Sequence, residues 1–363
     1  MSKLKMYYRW LINYLIGRLF CLGTYALPPR ILSIETTERC NLDCVMCPRK
    51  QTSLSGKEFT LKQFEHALNL FPSINAVVLL GRGETFMMKD ILPILDLGTR
   101  KNIHFTIITN GTLLTAETIK RMPDTGKILV SIDHPHANKY REIRRGGDLD
   151  AVLLNLKALK KIKPQQWLCI QAVIMNSNID YLDDFVKLAK DVSADAVKFI
   201  HPVIFNREMN SIHIGFSNKD TSSKLIKSKT YAKKLGIRFV AVPQMSKPRV
   251  CVEPWLAIRV SLNGDIYPCC YINNSNGTSW CEWCKEVSLT VPQSNYVMGN
   301  IYDNSVGQVW NAEAYRSLRK KIIDTKRKTL LPMEQLNILR GKMDSSRRFS
   351  YCSVCLYRQN HAC

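Results

Sequence analysis

Three cysteines, Cys40, Cys44 and Cys47, stand within eight residues in the run Glu38-Arg39-Cys40-Asn41-Leu42-Asp43-Cys44-Val45-Met46-Cys47-Pro48. Thiols crowded at a C-x3-C-x2-C spacing constrain any fold of this chain, because a loop must present all three together. Tetrahedral zinc sites are usually built from two C-x2-C pairs or a Cys/His mixture, and neither stands here. Soft thiolates suit an iron–sulfur cluster, and three protein ligands leave one iron of a cubane open to a small molecule. The spacing therefore predicts a redox centre, with a small zinc loop as the alternative.

The surrounding pattern is strand, loop, helix. Ile31–Thr36 reads as a short buried strand ending just before the cysteines. Further β-branched and apolar runs follow at Ala76–Leu80, His104–Thr109, Ile128–Ile132, Leu168–Met175 and Ala196–Ile200. Helical periodicity fills the gaps at Leu61–Phe71, Asp90–Gly98, Ala151–Ile162 and Tyr181–Lys190. Strands alternating with helices predict parallel β/α units with chemistry at the C-terminal strand ends. Six such units are too few for a closed eight-stranded barrel.

The cysteine run resembles that of the radical S-adenosylmethionine (radical SAM) superfamily. In that family the open iron chelates SAM, and one electron splits SAM into methionine and a 5′-deoxyadenosyl radical. The resemblance implies an α/β fold, an open (β/α)6 partial TIM barrel, which matches the unit count. Gly81-Arg82-Gly83-Glu84 looks like the family's Gly-Gly-Glu element, with Arg82 in place of a glycine. Glycine there lets backbone approach the SAM amino group, and Glu84 can accept from that ammonium directly or through neighbours. A plain βα turn is the alternative. Thr109-Asn110-Gly111 is also typical of the family, although Asn-Gly is equally good turn chemistry. Ser131 and Arg144 match SAM-contacting positions, with a solvated helix charge as the other reading of Arg144. Val173 or Ile174 would pack against adenine, although the glycines usual in that motif are missing. His201, after the sixth strand, takes either a substrate role or a structural hydrogen bond. His134 and His136 have a metal-like spacing without partners and read as loop.

Eight of the thirteen cysteines lie after residue 250. Cys251-x12-Gly264-x4-Cys269, the Met298–Ile301 run, Val309-Trp310-Asn311 and Leu318-Arg319 resemble the SPASM or "twitch" extension of many radical SAM enzymes. That resemblance implies a small cysteine-rich α+β SPASM-like domain with one auxiliary 4Fe–4S cluster on Cys251, Cys269, Cys352 and Cys355. Asn263-Gly264-Asp265 should turn a hairpin whose arms place cysteines on a small sheet. The full two-cluster pattern is broken, since Cys363 follows Cys355 after seven residues rather than five. Cys270, Cys281, Cys284 and Cys363 then hold a second cluster, a zinc, or nothing. Cys21 and Cys169 read as small buried residues.

Composition agrees with a two-domain globular protein: 363 residues, 45% apolar and 23% charged. Cysteine spacings of this kind in a long α/β chain read as metal ligation in a reducing cytosol rather than as secreted disulfides. Met6–Ala26 is apolar and aromatic, but basic residues break it well short of the roughly 20 apolar residues that span a bilayer. It reads as a helix packed under the barrel or, alternatively, as an amphipathic helix on a membrane surface. That makes the expected localisation cytoplasmic, with peripheral membrane contact as the variant. The formal net charge of +22 favours anionic partners, while the scattered basic pairs show no module for sequence-specific nucleic-acid reading. The domain reading is residues 1–30 as lead-in helix, 31–205 as barrel, 206–248 as bridge, and 249–363 as cysteine-rich domain. The bridge should hold a basic helix around Ser222–Leu235 and a strand at Arg238–Val242.

The implied activity is reductive SAM cleavage and hydrogen abstraction, with electrons from a flavodoxin- or ferredoxin-type donor. The substrate expected is an anionic small or lipid-linked metabolite. A peptide is the runner-up, because 30 residues before the first strand are few for a peptide-binding leader domain. The non-enzyme alternatives are an electron carrier and a zinc-stabilised scaffold.

Overall fold

A computed structural model describes residues 24–47, 49, 54–124, 126–200, 202, 212, 219–241, 252–268, 278–280, 288–290, 297–303 and 305–325. The strands, in chain order, are β1 (Ile31–Glu35), β2 (Asp43–Cys44), β3 (Ala76–Leu80), β4 (His104–Thr109), β5 (Gly126–Ser131), β6 (Arg144–Arg145) and β7 (Trp167–Val173). They continue as β8 (Ala196–Ile200), β9 (Arg238–Ala241), β10 (Ala257–Val260), β11 (Asp265–Tyr267), β12 (Thr278–Trp280), β13 (Ser288–Thr290) and β14 (Gly299–Asn300). Helices Leu61–Leu70, Ile91–Arg100, Ala116–Arg121, Leu149–Ile162 and Leu182–Asp191 supply the crossovers between the parallel strands. Their starts are chemically specified. Thr60 and Gln63 form a reciprocal capping box, and the Asp148 carboxylate accepts from the amides of Asp150 and Ala151.

One ten-stranded sheet carries the molecule, in the order β14-β11-β10-β1-β3-β4-β5-β7-β8-β9. From β10 to β9 every neighbouring pair is parallel. The six expected barrel strands are β1, β3, β4, β5, β7 and β8. The expected bridge strand is β9, which extends the sheet past β8. The cysteine-domain hairpin departs from expectation. Its arms, β10 and β11, join the main sheet rather than a separate small one, because β10 pairs with β1 from Ile31↔Ala257 to Ile34↔Val260. That pairing covers an edge of β1 that would otherwise expose unpaired backbone. Gly264 makes the turn at φ +85°, a conformation that disfavours side chains.

The two faces of the sheet differ. Leu32, Ile34, Val77, Leu79, Val197 and Phe199 belong to the large core beneath the helices. On the barrel side a small apolar cluster of Leu129, Cys169 and Ala196, edged by Ile108 and Trp167, forms a floor. Cys169 is buried there, and burial pushes its thiol up to about 12. Alternation of period two explains both faces, because successive side chains point to opposite sides of a strand.

Residues 24–27 are clamped to the C-terminal part of the chain. The Asn311 carboxamide accepts from the Ala26 amide at 3.0 Å and donates to the Ala26 carbonyl at 3.1 Å. Trp310 donates to the Leu27 carbonyl, and the buried Arg319 donates to the carbonyls of Thr24 and Pro254 while stacking on Trp310. Among the described residues no helix is long and apolar enough to cross a membrane. Most of Met6–Ala26, and all residues beyond 325, lie outside the described residues. Asn311→Ala removes both bonds to Ala26 and should lower stability by about 1–3 kcal/mol in urea unfolding. An unchanged midpoint would show that the clamp contributes nothing.

Candidate active site

The cysteine loop leaves the C-terminal end of β1 and is pinned across the sheet by backbone. β2 and β6 pair antiparallel, with Cys44 opposite Arg144 and Asp43 opposite Arg145, and the Val45 amide donates to the Ile143 carbonyl. Inside the loop the Leu42 amide points at the Cys40 sulfur at 3.4 Å, and Arg49 donates to the carbonyls of Cys40 and Leu42. Cys40, Cys44 and Cys47 are all free and half-buried. Burial pushes Cys44 up to about 11, against the pull of the Arg144 guanidinium, and pushes Cys40 upward too. As free thiols these two are therefore protonated at neutral pH, and a metal must displace the protons.

The donor set fits a cluster. Among the described residues no three His, Cys, Asp or Glu side chains converge as a single-ion cage. A cubane does not ask for that convergence, because each thiolate takes a different iron. A fit to SAM also has a local sign. The Thr36 hydroxyl, at the end of β1 beside Gly81, is buried without a protein partner among the described residues. Such an orphan is the kind of atom a polar ligand would satisfy.

Two ion networks hold the loop from opposite sides. On one side, Arg144 donates from Nε to Asp133 Oδ2 at 2.7 Å, with Nη2 also 2.7 Å from that oxygen. Asp133 Oδ1 accepts from the Val173 amide at 2.7 Å, and Asn178 bridges the carbonyls of Asp133 and Val173. Burial alone would pull the Arg144 guanidinium down. The opposing charges around it, Asp133 foremost, outweigh burial and hold the guanidinium above its usual value. On the other side, Arg82 donates to Glu35 at 2.8 Å and to Glu38 at 2.9 Å. The second Glu38 oxygen accepts from the Ser55 amide and hydroxyl and from the Lys57 amide. Burial alone would raise Glu38, but Ser55, Arg82 and Lys57 outweigh it and hold its carboxyl below the usual range.

Glu84 serves the frame more directly than the ligand. Its carboxylate is 3% exposed and already accepts from the Thr109 hydroxyl at 2.6 Å, the Asn110 amide at 2.7 Å and the Phe86 amide at 3.2 Å. It ties the turn after β3 to the turn after β4. Asn110 then donates to Asn41 within the cysteine loop at 2.9 Å. Burial pushes the Glu84 carboxyl up, while these donors oppose the rise. Gly83 likewise serves backbone packing. A Cβ there would collide with the carbonyls of Thr37 and Arg39, which accept from the amides of Gly83 and Glu84 at 2.8 Å. Gly81 lies against Thr36.

Ser131 and Val173 end neighbouring parallel strands on the barrel side, both half-buried. Ile174 is fully buried in the core instead. His134 and His136 pack with Tyr181 at ring separations of 4.8 and 5.0 Å, and His136 lies 3.4 Å from Asp184. His201, Cys251, Cys269, Cys270, Cys281, Cys284, Cys352, Cys355 and Cys363 lie outside the described residues. The roles of Asp133, Glu35, Glu38 and Arg82 were missed by the sequence reading. Four charged residues within or flanking strand ends, where burial is expected, were the available signal.

Residues 34–189 match the model of the radical SAM superfamily, and residues 251–356 match that of SPASM, an iron–sulfur cluster-binding domain. The AdoMet-dependent heme synthase of Methanosarcina barkeri is 25% identical over 300 residues, covering 80% of this chain and 85% of that protein. The PqqA peptide cyclase of Bradyrhizobium diazoefficiens is 22% identical over 318 residues, covering 83% of this chain and 81% of the cyclase. Streptococcus suis SuiB bound to its precursor peptide SuiA superposes with a TM-score of 0.60 at 16% identity, over 85% of this chain and 71% of SuiB. Native anSMEcpe with bound AdoMet superposes at 0.61 and 16% identity, over 84% of this chain and 88% of that one. These structural likenesses speak for the fold.

Arg144→Met leaves Asp133 buried and unpaired, and should cost about 3–5 kcal/mol in denaturant unfolding. The double variant Asp133→Asn/Arg144→Met should recover part of that loss, and an additive double variant would contradict the pairing. Glu38 carries a pH signature. Its folded-state value is depressed, so its contribution is complete above the ordinary 4.5 and is lost as pH falls through the depressed value. Glu38→Gln should therefore flatten the acid limb of the stability curve below pH 4.5. Parallel acid limbs for parent and variant would contradict this.

Proposed function

We propose, for a chain that belongs to the radical SAM superfamily and carries its SPASM iron–sulfur extension, the oxidation or modification of an anionic small or lipid-linked metabolite. Held by Cys40, Cys44 and Cys47, the cluster would supply the electron for reductive SAM cleavage and so the means of hydrogen abstraction from the substrate. The chain's own residues hold, orient and shield. Cys40, Cys44 and Cys47 are the cluster ligands, on a loop fixed by Asn110 and by the β2–β6 pairing. Gly81, Ser131, Arg144 and Val173 line the SAM site, and Gly83 supports it by letting its turn pack against the Thr37 and Arg39 carbonyls. Glu84 acts there through Asn110 and Thr109. Arg144, anchored by Asp133, places a positive charge behind Cys44.

The observation that carries this reading is the convergence of four C-terminal strand ends of one parallel sheet on the cysteine loop. Strand ends are where open α/β barrels place their chemistry. The charge of +22 supports an anionic substrate. The likeness to PqqA peptide cyclase over 83% of this chain supports the second reading, a peptide substrate.

The domain division follows the same reading: lead-in 1–30, barrel 31–205, bridge 206–248 and auxiliary domain 249–363. Cys251, Cys269, Cys352 and Cys355 hold the auxiliary cluster, and Cys270, Cys281, Cys284 and Cys363 are left for a second site. The SPASM match begins on Cys251 and ends one residue past Cys355, which supports the first set. A flavodoxin- or ferredoxin-type protein delivers the electron.

The reduced, reconstituted chain, incubated with SAM and fractionated extract, should yield more 5′-deoxyadenosine in the fraction that holds the substrate. Deuterium transfer into that product traces the hydrogen. Anionic fractions should stimulate, and stimulation confined to peptide fractions would favour the second reading. Cys44→Ala should abolish SAM cleavage, and Cys352→Ala should leave some cleavage without turnover. Cleavage equal to the parent in the first variant, or full turnover in the second, would contradict these assignments.

A further inference from the structure

We propose that Lys198 and Gln171 form an oxyanion subsite on the barrel side of β7 and β8, which takes a carboxylate or phosphate group of the substrate. The subsite rests on the anionic-substrate reading above and names where that anion sits. Lys198 stands between Val197 and Phe199, each 1% exposed in the helix-side core, so its side chain projects toward the barrel. Cross-strand register places Ser131 beside Gln171, and Gln171 beside Lys198. The three form one polar row. The next row down, Leu129, Cys169 and Ala196, is the apolar floor. Neighbouring strands lie about 4.8 Å apart, so adjacent positions suit one small anion gripped from two sides.

The polar groups of this row are unspent. Lys198 is a half-buried residue, and its ammonium has no hydrogen-bond or ion-pair partner among the described residues. The Gln171 residue is 8% exposed, and its carboxamide likewise has none among them. Two cations near the strand ends are engaged: Arg82 with Glu35 and Glu38, and Arg144 with Asp133. Lys127 lies over the Trp167 ring. Local carboxylates are also taken. Asp133 is held by Arg144 and the Val173 amide, and Asp195 by Lys160 and the Leu168 amide.

An oxyanion would give the Lys198 ammonium the counter-charge that no described residue supplies. Lysine offers three donors and the glutamine amide two more, a set matched to acceptor-only oxygens. Ser131, a proposed SAM contact, begins the same row, so the anion would be held on the floor beside the SAM site.

The test uses the anaerobically reconstituted full chain with SAM, titrated by calorimetry with inorganic pyrophosphate and with succinate. The parent should bind at least one probe saturably. Preference for pyrophosphate assigns a phosphate to the substrate, and preference for succinate a carboxylate. Lys198→Met, with Lys198→Gln as a second neutral variant, should weaken the preferred probe about tenfold to a hundredfold, as loss of a charge-assisted bond implies. Lys198→Arg should restore most of the affinity, and Gln171→Leu should weaken it less than Lys198→Met. Thermal unfolding and iron content confirm that each variant is folded and loaded. Absence of saturable binding of both probes to the parent, or parent-like affinity in both neutral variants, overturns the subsite. SAM binding to the parent is read separately. Its failure would sink the family-level reading, whereas SAM binding without probe binding would sink the subsite alone.

Discussion

The Asp133–Arg144 ion pair is the contact on which the arrangement of the site depends. Arg144 sits opposite Cys44 in the β2–β6 ribbon, and Asp133 follows the end of β5 and takes the Val173 amide. One buried pair therefore joins the cysteine loop, the end of β5 and the end of β7. A guanidinium used this way is fixed in position before any ligand arrives, and pre-organisation of that kind lowers the cost of binding. The Arg82 network does the same on the opposite flank, through Glu35 at the end of β1 and Glu38 just before Cys40.

The barrel side of the sheet has a polar upper row over an apolar floor, and this division gives the site its directional character. Leu129, Cys169 and Ala196 close the bottom. Above them Ser131, Gln171 and Lys198 present hydrogen-bonding groups in register. The cysteine-domain hairpin enters the same sheet through β10. Tyr267, on β11, therefore extends the barrel sheet, and Cys269 follows it by two residues in sequence.

Much of the fold was legible because strands such as Ala76–Leu80 and Ala196–Ile200 are runs of β-branched and apolar residues bounded by turns. The start of β5 was missed by two residues. Gly126 and Lys127 carry no strand signal, and the glycine is required because a Cβ there would strike the Phe105 carbonyl. The parallel joining of β10 to β1 was not legible, since it pairs segments more than two hundred residues apart and depends on edge covering rather than on local pattern. In the site, the cysteine spacing stated its own chemistry. The role of Glu84 was only half readable. Its position in the motif suggested an ammonium acceptor, while its three hydrogen-bond donors come from strand ends that sequence alone cannot bring together. Arg82 looked like a substitution for glycine and proved to be the centre of a buried charge network. Lys198 was hidden within an apolar strand run, where only the register shows what it faces.

The proposed activity depends on a cluster held by Cys40, Cys44 and Cys47, with one iron left for SAM. Electron paramagnetic resonance of the reduced, oxygen-free protein, recorded before and after addition of SAM, tests this most directly. A change in g values and line shape is predicted for the parent, lost in Cys44→Ala. A spectrum indifferent to SAM would contradict the account.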